Sequence, residues 1–376
     1  MAGIYIHIPF CKTICPYCDF YSIVESDGHD TFVEALLKEA DQRRDYLGGE
    51  SVSTIYFGGG TPSVLPVELL DLILNRLRKL FPVTGNPEIT IELNPDDVNT
   101  GYLKNLKKAG FTRLSYGIQS WDEKILKFLR RRHTAEQSAE AIENALKAGF
   151  ENISADLIYG IPGQTNELWS ETLDITLGFD LKHISAYHLT IEPGTPFGKL
   201  KEAGKLAEAD EETSNAQFEI LVEKTGKAGF IQYEISNFGK EGWFSEHNSN
   251  YWKQISYLGL GPSAHSFNKI SRQWNIKSVA KYVKAVNQGK SYFEYEELDS
   301  RKRFNEYIIT SLRTMWGLDL DFIEQNFEKE GYDYVMNLSS RFINYGLMRK
   351  EDNRLVLTNQ GKVISDNIIT EFIMVS

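Results

Sequence analysis

The 376-residue sequence predicts an α/β fold, a parallel sheet with flanking helices, followed by a smaller α+β region. Three observations lead there. From residue 3 to about residue 195 a β-rich run, a polar or glycine-containing turn and a helix-like segment recur in that order. The residues of unusual chemistry gather at or just past the C-terminal ends of those runs, the rim where parallel α/β folds bind ligands. Beyond about residue 300 the alternation gives way to helices and one hairpin.

The strand candidates are Gly3–Ile8, Thr54–Phe57, Glu88–Leu93, Arg113–Ile118, Asn152–Ile158 and His183–Ile191. After the second, Leu69, Leu70, Leu72, Ile73, Leu74 and Leu77 recur with helical spacing. Ala139, Ile142, Ala145 and Leu146 form another helical stripe, which ends before Gly149. Six strands alternating with helices imply parallel pairing through right-handed crossovers. An open doubly wound sheet and a partial barrel both meet that requirement, and periodicity leaves both open. Thr195-Pro196 and the polar stretch 199–213 read as a connection, followed by a helix over about 212–227 and the β-like run Ile231–Ile235. Residues 243–267, rich in Gly, Ser and aromatic side chains, read as a loop region whose length points to function. Leu347–Lys350 and Arg354–Leu357 flank Glu351-Asp352-Asn353 as a hairpin, and a final helix covers about 360–372, a winged-helix-like set. The expected division is a core over 1–195, a core extension and linker over 196–299, and a C-terminal domain over 300–376.

The chain carries 41 Lys and Arg against 52 Asp and Glu, a net charge of −11. That balance opposes coating of nucleic acid or an anionic membrane by bulk charge. The nearly neutral C-terminal region adds no basic excess, so no nucleic-acid partner is expected. No stretch approaches the roughly 18 apolar residues of a membrane span, and the N-terminus lacks a basic, apolar leader. The three cysteines, Cys11, Cys15 and Cys18, fall in one short segment, and an odd number so close together cannot build a secreted disulfide framework. Reduced thiols point to a cytoplasmic protein whose cysteines bind something.

Cys11-x3-Cys15-x2-Cys18 sets three thiolates in one loop after the first strand. Three sulfurs can hold three irons of a cubane cluster and leave the fourth iron without a protein ligand. Structural zinc completed by His7, His133 or His247 is the alternative, although zinc sites more often use paired Cys-x2-Cys units. Later strands end in Gly58-Gly59-Gly60-Thr61-Pro62, Glu92-Leu93-Asn94-Pro95, Ser115–Ser120 and Asp156-Leu157-Ile158-Tyr159-Gly160. The glycines let backbone approach a ligand closely, or simply make a tight turn. Carboxylates such as Glu92 or Asp156 suit an ammonium or sugar hydroxyls, and Arg131 suits a carboxylate. At least one of Arg130, Arg131 and Arg132 reads as a solvated helix end.

Together these motifs resemble the radical S-adenosylmethionine (SAM) superfamily over roughly residues 3–195. The resemblance implies a partial (β/α)6 barrel, a [4Fe–4S] cluster on Cys11, Cys15 and Cys18, and SAM on the open iron. It puts Tyr5, Gly59, Gly60, Thr61, Glu92, Gln119, Arg131 and Asp156 at SAM-contacting positions. Tyr17 would stack on the adenine, or pack in the core. The start Tyr5-Ile6-His7-Ile8-Pro9-Phe10-Cys11 is further similar to the anaerobic coproporphyrinogen III oxidase group, which includes true oxidases and the HemW heme chaperones. Two departures weigh against the oxidases. Phe20 stands where they carry another cysteine, and the first strand begins almost at Met1, where they carry an N-terminal extension.

His247-Asn248-Ser249-Asn250-Tyr251-Trp252 matches the His-Asn-x-x-Tyr-Trp motif of the HemW branch. There His247 would offer an imidazole to heme iron, and Tyr251 and Trp252 would cover a porphyrin face. A lone histidine beside two aromatics is otherwise more often structural. His188 could face the site, and His265 has only proximity in favour of a ligand role. The resemblance implies a chaperone that carries heme as cargo to acceptor hemoproteins such as respiratory enzymes. It also implies transient contact with membrane proteins and a homodimeric form. Oxygen-independent coproporphyrinogen III oxidase is the alternative, and whether SAM is cleaved stays open.

Overall fold

The computed structural model describes residues 1–24 and 27–374. Six parallel strands, β1 (Ala2–Ile8), β2 (Val52–Gly59), β3 (Val83–Leu93), β4 (Arg113–Gln119), β5 (Asn152–Tyr159) and β6 (His183–His188), lie side by side in sequence order. A doubly wound sheet reverses its strand order at a switch point. Here the order never reverses, so right-handed crossovers put the connecting helices on one face and the sheet curls into a partial barrel around the other. Helices α1 (His29–Gln42), α2 (Val67–Leu80) and α3 (Thr100–Ala109) pack on one another in turn. Two further helices, α4 (Glu123–Phe128) and α5 (Ala135–Lys147), follow β4.

Each strand sorts its side chains by the two-residue alternation of β structure. Ile4, Ile6 and Ile8, Ile55 and Phe57, and Ile89 and Ile91 are buried in the main hydrophobic core shared with the helices. Their neighbours Tyr5, His7, Tyr56, Glu92, Ser115, Asp156 and Ser185 take the other face and line an interior cavity. Helices begin where the sequence supplies caps: Asn99, Asp122 and Thr134 each accept from the backbone N–H three residues on. Each such cap contributes about 1 kcal/mol.

The sheet does not close. A hairpin of β7 (Ile231–Gln232) and β8 (Asn237–Gly239) pairs through β8 with β6. On the other side β9 (Tyr257–Leu260) runs parallel to β1, followed by antiparallel β10 (His265–Phe267), β11 (Ser271–Asn275) and β12 (Phe293–Glu297).

Some expectations change. Residues 243–267, expected as a loop, hold a helix (Glu246–Trp252) and the strands β9 and β10. The glycines there serve packing: a Cβ on Gly259 would lie 2.0 Å from the His265 carbonyl oxygen. The Glu88 carboxylate fixes the helix start by accepting from the N–H groups of Glu246 and His247 at 3.0 and 2.9 Å. The fifth strand extends to Tyr159, which leaves Asp156 in mid-strand, and the sixth stops at His188. The polar connection over 199–213 begins inside a helix, Pro196–Glu202.

Beyond residue 300 a second hydrophobic core forms around Phe304, Ile308, Leu320, Val335, Leu355 and Phe372. It is built by the helix Ser300–Leu312, β13 (Leu318–Asp319), the helix Leu320–Asn344 with a break at Phe327 and Glu328, the hairpin β14 (Met348–Glu351) and β15 (Arg354–Leu357), and two short helices to Phe372. Among the described residues no helix is long and apolar enough to cross a membrane.

Candidate functional site

Every residue singled out by sequence for cluster, SAM or heme lines one cavity of about 930 Å3 on the inner face of the barrel. The cysteine loop closes at its base by parallel pairing of Phe10–Cys11 with Ile23–Val24. Cys11 Sγ lies 3.3 Å from Thr61 Oγ1, and Arg131 Nη1 approaches Cys15 Sγ at 3.5 Å. All three thiols are partly accessible. Burial pushes the Cys11 and Cys18 thiols up, Cys18 to about 12, and the neighbouring sulfurs add to the effect. Such a loop favours neutral thiols until a cation draws the protons off.

The histidines that zinc would need are held elsewhere. His7 bonds Tyr5 OH and the Tyr21 carbonyl oxygen at 3.1 and 2.8 Å, and buried His133 bonds the Ile118 carbonyl oxygen at 3.1 Å. Among the described residues no three His, Cys, Asp or Glu side chains close on a single ion. A cluster spreads its cysteines over three irons and does not require that convergence.

Across from the cysteines the glycine turn runs close against the end of β1. Gly59 has φ +108°, and a Cβ there would lie 2.5 Å from His7 Nδ1; one on Gly60 would lie 2.8 Å from the Phe10 carbonyl oxygen. Tyr56 OH donates to Glu92 at 2.8 Å and the Gly59 N–H at 3.2 Å, while burial lifts the Glu92 carboxyl to about 7. Ser115 and Ser154 donate to Asp156 at 3.0 and 3.4 Å, and burial raises that carboxyl too. Arg131 Nη2 donates to the Gly117 carbonyl oxygen at 2.8 Å, but its buried Nε has no partner among the described residues. Gln119, at φ +67°, ends β4 in the left-handed region and shifts the register against β5. That is a strained backbone at a cavity wall. Tyr17 lines the cavity and also packs on the apolar cluster of Ile125, Ile158 and Leu189.

The basic triplet divides by position: Arg130 is exposed, Arg131 reaches the cavity, and Arg132 pairs with Asp96 and Asp97 at 2.7 and 2.8 Å. Tyr251 and Trp252 line the cavity beside His247, which is 2% exposed and stacks on Tyr56 at 5.0 Å. Both His247 ring nitrogens are engaged, with Thr54 Oγ1 at 2.8 Å and Tyr251 OH at 2.9 Å, and burial lowers its pKa to about 3. In this conformation it is a neutral ring joining β2 to its own helix. Sequence reasoning passed over Tyr56 and Ser185 and gave Ser115 no role of its own, although the polar–apolar alternation of β2, β4 and β6 marks all three as inward-facing.

A three-cysteine loop after the first strand of a partial (β/α)6 barrel, facing glycines and carboxylates of the next strands, defines a radical SAM protein. Residues 5–175 match the family described as the Radical SAM superfamily. Such a family implies a [4Fe–4S] cluster and SAM, and the cysteines fit its CxxxCxxC motif. The heme chaperone HemW of Bacillus subtilis is 33% identical over 376 residues, 99% of either chain. That of Escherichia coli is 36% identical over 265 residues, 70% of this chain and 69% of its own. The structure of coproporphyrinogen III oxidase (HemN) from Escherichia coli matches with a TM-score of 0.86, at 24% identity, over 99% of this chain and 90% of that one. The chain belongs to the HemW branch of the radical SAM superfamily.

Proposed function

We propose that this protein is a cytoplasmic heme chaperone that binds heme, carries a [4Fe–4S] cluster and SAM, and passes heme to acceptor hemoproteins such as respiratory enzymes. The observation that carries this is the match over nearly the whole chain to proteins named heme chaperones. Phe20, 65% exposed at the cavity edge two positions after Cys18, adds support, since it takes the place of the oxidases' extra cysteine.

Cys11, Cys15 and Cys18 hold the cluster. When bound, the cluster would supply an iron without a protein ligand, available to SAM, and a route for one electron. Glu92 would take the ammonium of SAM; burial lifts its carboxyl to about 7, and Tyr56 and Gly59 hold it in place. Arg131, whose buried Nε has no partner among the described residues, would meet the carboxylate, and Asp156 would take ribose hydroxyls. Gly59, Gly60 and Thr61 bring backbone against the methionyl group. Gln119, Tyr5 and Tyr17 close the remaining sides. Residues 1–195 form the SAM-binding core, 196–299 extend it, and 300–376 serve partner contact or homodimer formation.

Anaerobic reconstitution followed by two parallel assays tests this function. Hemin binding, and no protoporphyrinogen formed from coproporphyrinogen III with SAM and reductant, is the expected pair of results. Sustained decarboxylation of coproporphyrinogen III would make the protein an oxidase instead.

A further inference from the structure

We propose that the heme iron is met by His265, on the cavity wall built by β10 and β11, and that Lys277 and Arg272 receive the propionates. This rests on the heme-chaperone function above and assigns the cargo's place within it.

Four histidines line the cavity: His7, His188, His247 and His265. Two have both ring nitrogens engaged, and a third has one engaged. His7 and His247 use both ring nitrogens on internal partners, and both are almost fully buried. His188, itself exposed, bonds Ser214 through Nε2 at 2.9 Å, and that nitrogen sits hard against Gly160, where a Cβ would lie 2.3 Å away; its Nδ1 has no partner among the described residues. His265 differs. Neither of its ring nitrogens has a hydrogen-bond partner among the described residues.

The backbone presents this ring rigidly. The turn before it contains Gly261 at φ +95° and Ser263, a non-glycine residue at φ +65° that also lines the cavity. A buried network holds the turn from behind. Glu39 accepts from the Gly261 N–H at 2.8 Å, from Tyr282 OH at 2.6 Å and from Asn275 Nδ2 at 2.7 Å, with Arg43 beside it. Asn275 also donates to the Gly261 carbonyl oxygen at 2.8 Å. So much buried polar contact behind a strained turn serves to fix where His265 points.

The strand register supplies the rest. His265 opposes Trp274, and Phe267 opposes Arg272, so all four side chains share one face of the β10–β11 pair. The imidazole lies against Trp274 with ring centroids 6.4 Å apart, and Phe267 adds apolar surface beside it. Arg272 pairs through Nη2 with Glu306 at 2.9 Å, but its buried Nε has no partner among the described residues. Lys277 is exposed on the same wall and makes no ion pair among the described residues. An imidazole, the apolar edge of Phe267 and two cations lining one cavity match an iron porphyrin with two carboxylates. Glu306 pairs with Arg272 and leaves that cation only partly available, and Glu296 and Glu294 of β12 stand opposite Arg272 and Trp274 on the same face.

The test is hemin titration of the full, cluster-reconstituted chain, read by affinity and by electron paramagnetic resonance of the ferric heme. His265→Ala is expected to abolish the histidine-ligated signal and weaken binding about tenfold or more. Lys277→Glu should weaken hemin binding but not that of hemin dimethyl ester. His247→Gln, which retains a donor and an acceptor, should keep the histidine-ligated signal. Wild-type affinity and signal in His265→Ala would overturn this assignment and leave the chaperone function standing. A wild-type chain that binds no hemin would overturn both.

Discussion

Asp97, whose side chain is 1% exposed, pairs at 2.7 Å with Lys12, the residue that follows the first cysteine. Arg132 reaches the same carboxylate at 2.8 Å, and Ser63 Oγ donates to it at 3.2 Å. One carboxylate thus ties the cysteine loop to the segment after β3 and to the approach to α5. Burial alone would raise Asp97, yet the two cations hold it below its ordinary range.

Asp97→Asn should therefore leave Arg132 short of a partner and free the cysteine loop. A loss of about 2–4 kcal/mol is expected from breaking a largely buried pair. Lys12→Ala should cost under about 1 kcal/mol, because the lysine is half exposed. Denaturant unfolding of the apoprotein, with iron per chain after reconstitution, measures both. Unchanged iron content in Asp97→Asn would contradict the role assigned to it.

Glu92 gives a pH-dependent prediction. Its folded pKa lies near 7, above the ordinary carboxylate value. Between those values the folded state holds more protons than the unfolded one, so this group's contribution falls as pH rises. Glu92→Gln should stabilise the apoprotein by about 1–3 kcal/mol at pH 8, with no gain below about pH 5. The same change should weaken SAM binding, and wild-type SAM affinity should rise from pH 6 to 8. Thermal unfolding and isothermal titration check the two halves.

The buried histidine at 247 carries the opposite slope. Its folded pKa, about 3, lies below the ordinary value of 6.5, so the unfolded chain binds the extra proton. Stability is therefore lost as pH falls below about 6.5, by about 1.4 kcal/mol per pH unit for this ring. His247→Gln should flatten that dependence between pH 6 and 4. His247→Ala should destabilise at all pH values by about 1–3 kcal/mol, since Thr54 and Tyr251 lose a buried partner. Urea midpoints across this range distinguish the variants.

At Gly59 both the backbone angle and the space oppose a side chain. Gly59→Ala meets a φ of +108° and His7 Nδ1 at 2.5 Å. A cost of about 1–3 kcal/mol from strain is expected, with the clash added to it. SAM binding should weaken more than cluster content, which iron analysis and titration separate.

The strands and the shared rim were legible because alternation and helical spacing are local signals. Ile4, Ile6 and Ile8 mark the packed face of β1 as plainly as Cys11 marks its end. Barrel and doubly wound sheet became distinguishable only with strand order, which no local pattern encodes. Residues 243–267 looked like a loop because Gly259 and Gly261 meet neighbouring backbone, a contact visible only in three dimensions. The partners of His247, Thr54 on β2 and Tyr251 one helical turn away, were hidden for the same reason, since one of them lies far off in sequence. Lys12 and Asp97 likewise meet across a long stretch of chain.

Heme transfer is the most direct test of the chaperone function. Cluster-reconstituted protein loaded with heme is mixed anaerobically with an apo-hemoprotein acceptor, and donor spectrum and acceptor activity are followed together. Heme should leave the donor as the acceptor gains activity, faster than from free heme at the same concentration and with the porphyrin unchanged. Heme that stays on the donor, or an acceptor filled no faster than by free heme, would contradict it.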